Sequence, residues 1–364
     1  GIAAARLSVA GDAPGALTLL REALGTPTGA ADRVPEVAQA VLRACGLPPV
    51  PQGTASSPGG YSAVEERTGG AAGASGSKAA LLLPYVLRTA RAGDPASVCD
   101  ALERGAGEVL QPARRWFKIA GGRKAEVLMS ALEDAPREGG VLEIGTYLGY
   151  SALRFAMAQP GRRVVTLEVD PGHALTAQCL AAHAGLAHRI DVWNGHSKDV
   201  LPHLQAHYEP DLGFAAVFMD QCGSRFWEDL EAILRLGLLR PGAVVVADNV
   251  LKPGAPLFLW ELFYGGGPFE AVQVVSVPEF AMPGVEDWMA VAEYRPQPDG
   301  CRRPRVPVPP VIWDLEWEAQ RMRARAAGAA GSGSVSFEDW AAFAAWMRDH
   351  LAALGIAPEV DRGP

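Results

Sequence analysis

From Lys78 to Tyr294, short β-branched apolar runs alternate with stretches in which apolar residues recur at helical spacing. The runs are 141–144, 164–168, 190–193, 215–219 and 243–247, and helical stretches such as 151–158 and 226–236 follow several of them. Two more runs, 271–275 and 289–294, close the region without a long helix between them. Helices crossing between such strands in the right-handed sense cover both faces of a sheet. The pattern therefore predicts an α/β domain over 79–295: an open seven-stranded sheet, parallel except for a final antiparallel pair, with helices on both faces.

Outside this domain the pattern changes. Stretches 13–25 and 34–45 read as two helices, making 1–46 a helical hairpin similar to one unit of a helical repeat array, with no second copy downstream. Residues 47–78 are rich in Gly, Ser and Pro, the chemistry of a linker. Residues 296–312 hold too many prolines for a helix or central strand and read as a stiff tether. A C-terminal helical pair, 313–326 and 337–354, is expected within 313–364. AGAAGSGSVS separates them, and the sequence GSGSVSFEDW, which runs into the second helix, is similar to the second half of a calcium loop. Its first two acidic ligand positions would fall on Gly328 and Ala330, which offer no carboxylate, so a plain helical pair is expected.

Composition narrows the function. Of 364 residues, 49% are hydrophobic and 20% charged, which supplies a sizeable core and excludes a wholly disordered chain. Acids outnumber Lys plus Arg by 41 to 33, a net charge of −8, against a nucleic-acid partner held by phosphate neutralisation. No run of about 18 apolar residues occurs, so no membrane-spanning helix is expected, and a cytoplasmic location is the default. Cys45, Cys99, Cys179, Cys222 and Cys301 are far apart, without CxxC or zinc spacing, and read as reduced thiols. The terminal helices leave room for a protein partner, but no feature supports one.

Candidate chemistry gathers at the strand ends. The first strand runs into Gly145-Thr-Tyr-Leu-Gly149-Tyr-Ser151 and then a helix, a junction where backbone approaches a ligand and a helix presents free N–H groups. The GxxxG spacing differs from the GxGxxG that grips a pyrophosphate. Glu168 ends the second strand, where a carboxylate can accept both ribose hydroxyls, so a nucleoside without phosphates, of which S-adenosylmethionine is one, fits best. A tight turn with no ligand is the plainer alternative. Asp220 ends the fourth strand and Asp248-Asn249 the fifth; two carboxylates and an amide make an all-oxygen half-shell suited to Mg²⁺. Alternatively both acids merely cap the elements that follow.

The segments VLEIGTYLGYSALR, TLEVD, GHSKDVLPHL, VFMD and ADNVLKPGAPLFL, with YVLRTARAGDPASVCDALE upstream, resemble catechol O-methyltransferase over about residues 85–294. The resemblance implies a class I methyltransferase, Rossmann-like fold, S-adenosylmethionine as methyl donor, Mg²⁺ on Asp220, Asp248 and Asn249, and a small catechol or phenol as acceptor. It places Glu143, Gly145, Tyr147, Gly149, Tyr150 and Ser151 at the methionine end of the cofactor. Glu168 and Val169 fall at its ribose, Ser197 and Gln221 at its adenine, and Asp220 and the backbone of Ala120 beside it. On the acceptor side it implies Trp116 and Pro253 as walls, Asn249 as a contact, and Glu279 bonding the hydroxyl that is not methylated. By the residues alone, Trp116 can equally be core and Glu279 a solvated loop acid.

One departure bears on catalysis. The family's general base is a Lys three residues after the metal-binding Asp; here Asp220-Gln221-Cys222-Gly223 puts Gly223 at that position, and Cys222 replaces an aromatic. Lys118 and Lys252 are the candidate replacements, and a third option is that the metal alone acidifies the hydroxyl. Two functions from different classes follow: an O-methyltransferase of the catechol type, or a cofactor-binding regulatory protein of the same fold with weakened turnover. A nicotinamide-dependent dehydrogenase is disfavoured by the GxxxG spacing.

Overall fold

The computed structural model describes residues 78–112, 115–208, 213–296, 304–327 and 335–358. The expected hairpin over 1–46, the linker as far as residue 77, the calcium-loop-like segment 328–334, Cys45, Cys301 and tether residues 297–303 lie outside the described residues.

Five parallel strands, β1 (Gly140–Ile144), β2 (Val164–Glu168), β3 (Ile190–Asn194), β4 (Phe214–Met219) and β5 (Leu239–Ala247), join β6 (Phe269–Pro278) and β7 (Glu286–Tyr294) in the order β3-β2-β1-β4-β5-β7-β6. As the pattern predicts, β7 runs antiparallel to both β5 and β6. The last three strands are longer than their apolar runs, and β7 starts at Glu286-Asp287, three residues before the run. Asp287 is wholly buried. An acid at a strand entrance reads as a polar end unless the tertiary structure supplies its partners.

Period-two alternation sends neighbouring residues to opposite faces. On one face Val141, Val164, Phe218 and Val246 pack beneath α1 (Lys78–Thr89), α2 (Pro95–Gly105), α3 (Arg123–Glu133), α4 (Tyr150–Ala158) and α5 (Pro171–His183). On the other, Leu142, Val165, Val217 and Val245 meet α6 (Ser197–His207), α7 (Phe226–Arg235), α8 (Pro256–Tyr264), α9 (Pro310–Ala326) and α10 (Phe337–Ala353). The strand FAAVFM is buried at every position, as a strand covered on both faces must be.

The C-terminal pair is part of this core. Ile312, Leu315 and Ala319 of α9 and Ala344, Met347 and Leu351 of α10 are buried in the layer that contains Val245 and Phe258. Helix α9 begins at Pro310, three residues earlier than its sequence pattern suggests, because proline suits the first helical turn, where its missing N–H is not needed. Helix α10 starts in a capping box: Ser336 accepts from the Asp339 N–H and Asp339 accepts from the Ser336 N–H. Among the described residues no helix is long and apolar enough to cross a membrane.

Phe218 is 1% exposed and meets Phe155 edge-on at 5.7 Å between ring centroids. Phe218→Ala is expected to cost about 3–5 kcal/mol by the cavity it opens between β4 and α4. Denaturant titration measures this, and a loss below about 1 kcal/mol would contradict the packing described.

Candidate active site

The order of the sheet reverses between β1 and β4, and a crevice opens beyond the carboxyl ends of the strands there. A cavity of about 310 Å³ occupies it, lined from the tips of β1, β2, β4 and β5, the segment before α3, and α9 and α10. Gly145 makes the β1 tip: its φ is +101°, and a Cβ there would lie 2.6 Å from the Asp220 carbonyl oxygen. Glycine thus lets the ends of β1 and β4 abut.

The cavity brings together Trp116, Lys118, Gly145, Tyr147, Glu168, Val169, Ser197, Asp220, Gln221, Asp248, Asn249, Lys252, Pro253 and Glu279. Ala120, Glu143, Gly149, Tyr150 and Ser151 are not among its lining residues. Glu143 lies beneath the floor, fully buried, accepting hydrogen bonds from Ser151 Oγ and Thr166 Oγ1. Burial pushes its carboxyl up to about 7, although both hydroxyls pull it down. The Tyr150 hydroxyl turns to Glu103 and receives Arg154. Gly149, with φ +84°, is the residue before α4, against Ala177.

At the β2 tip, Glu168 Oε2 accepts the Tyr147 N–H at 2.7 Å and Oε1 the Asp170 N–H at 2.8 Å. Burial raises its carboxyl, against His173 and the two amides. Beyond it, Ser197 Oγ and Gln221 Nε2 both donate to Asp229, at 2.8 and 2.9 Å. Gln221 therefore turns its amide oxygen elsewhere, and that buried oxygen has no hydrogen-bond partner.

The other half of the cavity is organised by Lys124, a residue absent from the sequence-based candidates. Its ammonium is buried and lies 2.9 Å from Asp248 Oδ1, 3.0 Å from Asp287 Oδ2 and 3.1 Å from Glu279. Lys252, also buried, donates to Glu279 Oε2 at 2.7 Å and stands 5.1 Å over the Trp340 ring. Asp287 accepts in addition from Asn249 Nδ2 at 2.6 Å and the Lys252 N–H at 3.0 Å. Asn249 sits at φ +56°, a conformation asparagine tolerates, and with its amide nitrogen committed to Asp287 its oxygen is the end left over.

Charge in this cluster is unevenly shared. Burial would lower the Lys124 ammonium, but Asp248, Asp287 and Glu279 outweigh it and hold it well above the ordinary lysine range. Burial would raise Glu279, yet with two lysines it falls to about 2. Asp248, with a share of one lysine, rises to about 6, and burial raises Asp287 too. Asp220 rises well above the usual carboxylate range through burial and then through Asp248. Its side chain makes no hydrogen bond or ion pair among the described residues. Fully ionised, the four carboxylates would outnumber the two ammonium groups by two charges, which a divalent cation would balance. Asp220, Asp248 and the Asn249 oxygen supply hard oxygen donors for one, so the residues present fit Mg²⁺. Among the described residues no three His, Cys, Asp or Glu side chains gather as a metal site; the donor set at the tips of β4 and β5 has two carboxylates, completed by an amide.

The C-terminal helices form the remaining wall. Met322 and Ala326 of α9 and Trp340 of α10 pack with Trp116, whose ring carries Lys118 Nζ at 4.7 Å and Lys78 Nζ at 5.3 Å.

A family model described as O-methyltransferase matches residues 126–257. Catechol O-methyltransferase of Bos taurus is 36% identical over 206 residues, 56% of this chain and 73% of that one. The Sus scrofa enzyme of the same name is 38% identical over 175 residues, 48% of this chain and 92% of its own. The chain belongs to the catechol O-methyltransferase family. It is thereby one of the S-adenosylmethionine-dependent O-methyltransferases. Among solved structures, the O-methyltransferase TomG from Streptomyces achromogenes, involved in tomaymycin synthesis and in complex with SAM, is 27% identical. It overlays with a TM-score of 0.44 over 53% of this chain and 89% of that one.

Lys124→Met leaves three buried carboxylates facing one another. It is expected to cost about 3–5 kcal/mol in metal-free protein at neutral pH, read by denaturant unfolding, and a cost under about 1 kcal/mol would refute the ion cluster. Glu143 gives a pH signature. Its folded value lies above the ordinary glutamate value, so the stability present in acid is withdrawn as pH rises toward 7. Between about pH 4.5 and 7 the wild type should lose roughly 3 kcal/mol relative to Glu143→Gln, and no more above that range. A pH-independent difference between the two unfolding curves would contradict the burial of this carboxyl.

Proposed function

We propose that the protein transfers the methyl group of S-adenosylmethionine to one hydroxyl of a catechol, or a similar aromatic with vicinal oxygens, in a Mg²⁺-dependent reaction. The observation that carries this reading is the deficit of two charges around Lys124 and Lys252, beside an unpartnered Asp220 on the cavity wall.

On the donor side, each Glu168 oxygen accepts one backbone N–H and retains a lone pair for a ribose hydroxyl. The Gln221 oxygen, buried and unpartnered, suits an exocyclic amine of adenine. Beneath them, Glu143 with Ser151 sets the start of α4, whose free N–H groups favour a carboxylate. On the acceptor side Trp116 and Pro253 flank the space before Asp248 and Asn249. When bound, Mg²⁺ would hold both vicinal oxygens and favour their ionised form.

Glu279, held ionised by two lysines, can accept a hydrogen bond from the hydroxyl that is not methylated. Lys252 donates to that carboxylate in the resting site, so its ammonium is placed to stabilise a developing phenolate. Lys118 lies farther round, against Trp116. With Gly223 at the position of the family's lysine, Asp220, Asp248 and Asn249 would hold the metal that would acidify the hydroxyl, and Lys252 is the ammonium nearest to Glu279. Trp116 and Trp340 shield the site from bulk water while oxygen, carbon and sulfur align.

Gly223 also favours a second reading, a protein that binds cofactor and turns over weakly. Labelled S-adenosylmethionine with catechol, assayed with and without EDTA, separates the two. Transfer abolished by chelation and restored by Mg²⁺, and lowered at least about a hundredfold by Asp248→Asn, is the expected outcome. Cofactor binding with no transfer to any catechol would favour the second.

A further inference from the structure

The family resemblance ends near residue 294, yet the cavity has a wall made after it: Arg323, Ala326 and Ala327 at the end of α9, and Trp340 on α10. Arg323 is 8% exposed, and its Nη2 donates to the carbonyl oxygen of Gly254, in the turn that carries Lys252 and Pro253. The same Nη2 stands over Gly223, where a Cβ would come within 2.7 Å of it and within 2.9 Å of the Gly254 oxygen. No side chain fits at residue 223 unless Arg323 moves. The space where the family carries its lysine is therefore filled, from another part of the chain, by a group that does not lose its proton.

The guanidinium is incompletely used. Its Nη1 is buried without a hydrogen-bond partner. The nearest carboxylate oxygen, Glu316 Oε1, lies 3.8 Å away and is itself without a hydrogen bond. The other Glu316 oxygen faces the Leu257 N–H at 3.5 Å, so this carboxylate is an ion-pair partner of Arg323 at long range without a hydrogen bond to it. Buried N–H donors are rarely left unpaired, and a guanidinium presents a fork that matches a carboxylate. Lys78 and Lys118 flank Trp116 on the same cavity. A neutral catechol would use none of these charges.

We propose that the C-terminal helical pair is part of the acceptor site and that Arg323 selects an aromatic acceptor bearing a carboxylate in addition to its vicinal hydroxyls. This rests on the methyltransferase reading and specifies its substrate class. Arg323 binds and discriminates and takes no proton. Its anchorage to Gly254 couples the recognition to the turn that presents Pro253 and Lys252.

The test is steady-state methylation by the full chain, with Mg²⁺, of catechol against protocatechuate and caffeate, which carry a carboxylate. The wild type should prefer the better carboxylated acceptor in kcat/KM. Arg323→Met and Arg323→Gln should each lower that preference roughly tenfold to a hundredfold, mainly through KM. Arg323→Lys should recover part of it. Gln keeps a donor near Gly254 without the charge, so it remains informative if Met fails to fold. A wild type without preference, or variants in which both acceptor classes decline in parallel, would overturn the proposal and leave Arg323 a brace for the Gly254 turn. Should no acceptor be methylated, the methyltransferase reading fails separately. Calorimetric binding of protocatechuate to wild type and Arg323→Gln loaded with S-adenosylmethionine then decides: tenfold weaker binding to the variant supports the assignment, and equal binding or none rejects it.

Discussion

One buried ammonium organises the catalytic end of this molecule. Lys124, in the first turn of α3, holds carboxylates from the tip of β5 (Asp248), the loop after β6 (Glu279) and the entrance to β7 (Asp287). Without it, three like charges would face each other out of water, an arrangement no fold of ordinary stability sustains. The cluster draws three strands and a helix to a common point. It also leaves Asp220 beside it with its carboxyl raised well above the usual range by burial and by Asp248.

The donor half is built differently. Around Glu168, Gln221 and Ser197, backbone amides and the Asp229 carboxylate do most of the positioning, and the Gln221 amide oxygen is buried without a hydrogen bond. A cofactor with a polar nucleoside needs hydrogen bonds of fixed direction, which a rigid set of strand tips supplies. In the proposed reaction the acceptor would become an anion and need charge, which a set of buried ions would supply. The crevice at the reversal of sheet order joins the two, with Asp220 between them.

The C-terminal pair shows how an addition to a fold becomes part of its site. Its apolar residues complete the layer over β5 and α8, and that packing fixes the register at which Trp340 meets Trp116 and Arg323 reaches Gly254. A large shared core holds a wall more precisely than a loop does. The absence of a side chain at Gly223 and the presence of the Arg323 guanidinium beside it thus fill one space.

Much of this was readable from the residues in order. Alternation of period two and 3.6 placed all seven strands and both C-terminal helices, because burial on one or both faces acts on neighbours in the chain. Strand-end positions of Glu168, Asp220 and Asp248 pointed to the crevice, since sheet topology alone sends such residues there. Lys124 had only a faint signal: it occupies the stripe shared with Leu128 and Ala131, where an apolar residue belongs. Asp287 and Arg323 had none, because a charge is tolerated in a core only through partners far along the chain, 163 residues for Lys124 and Asp287 and 69 for Arg323 and Gly254. Local pattern determined the elements and the half of the site that is made of strand tips, and the resemblance of the motifs pointed to the family. The pairing of buried charges was decided by tertiary structure, since electrostatic compensation depends on distance in space.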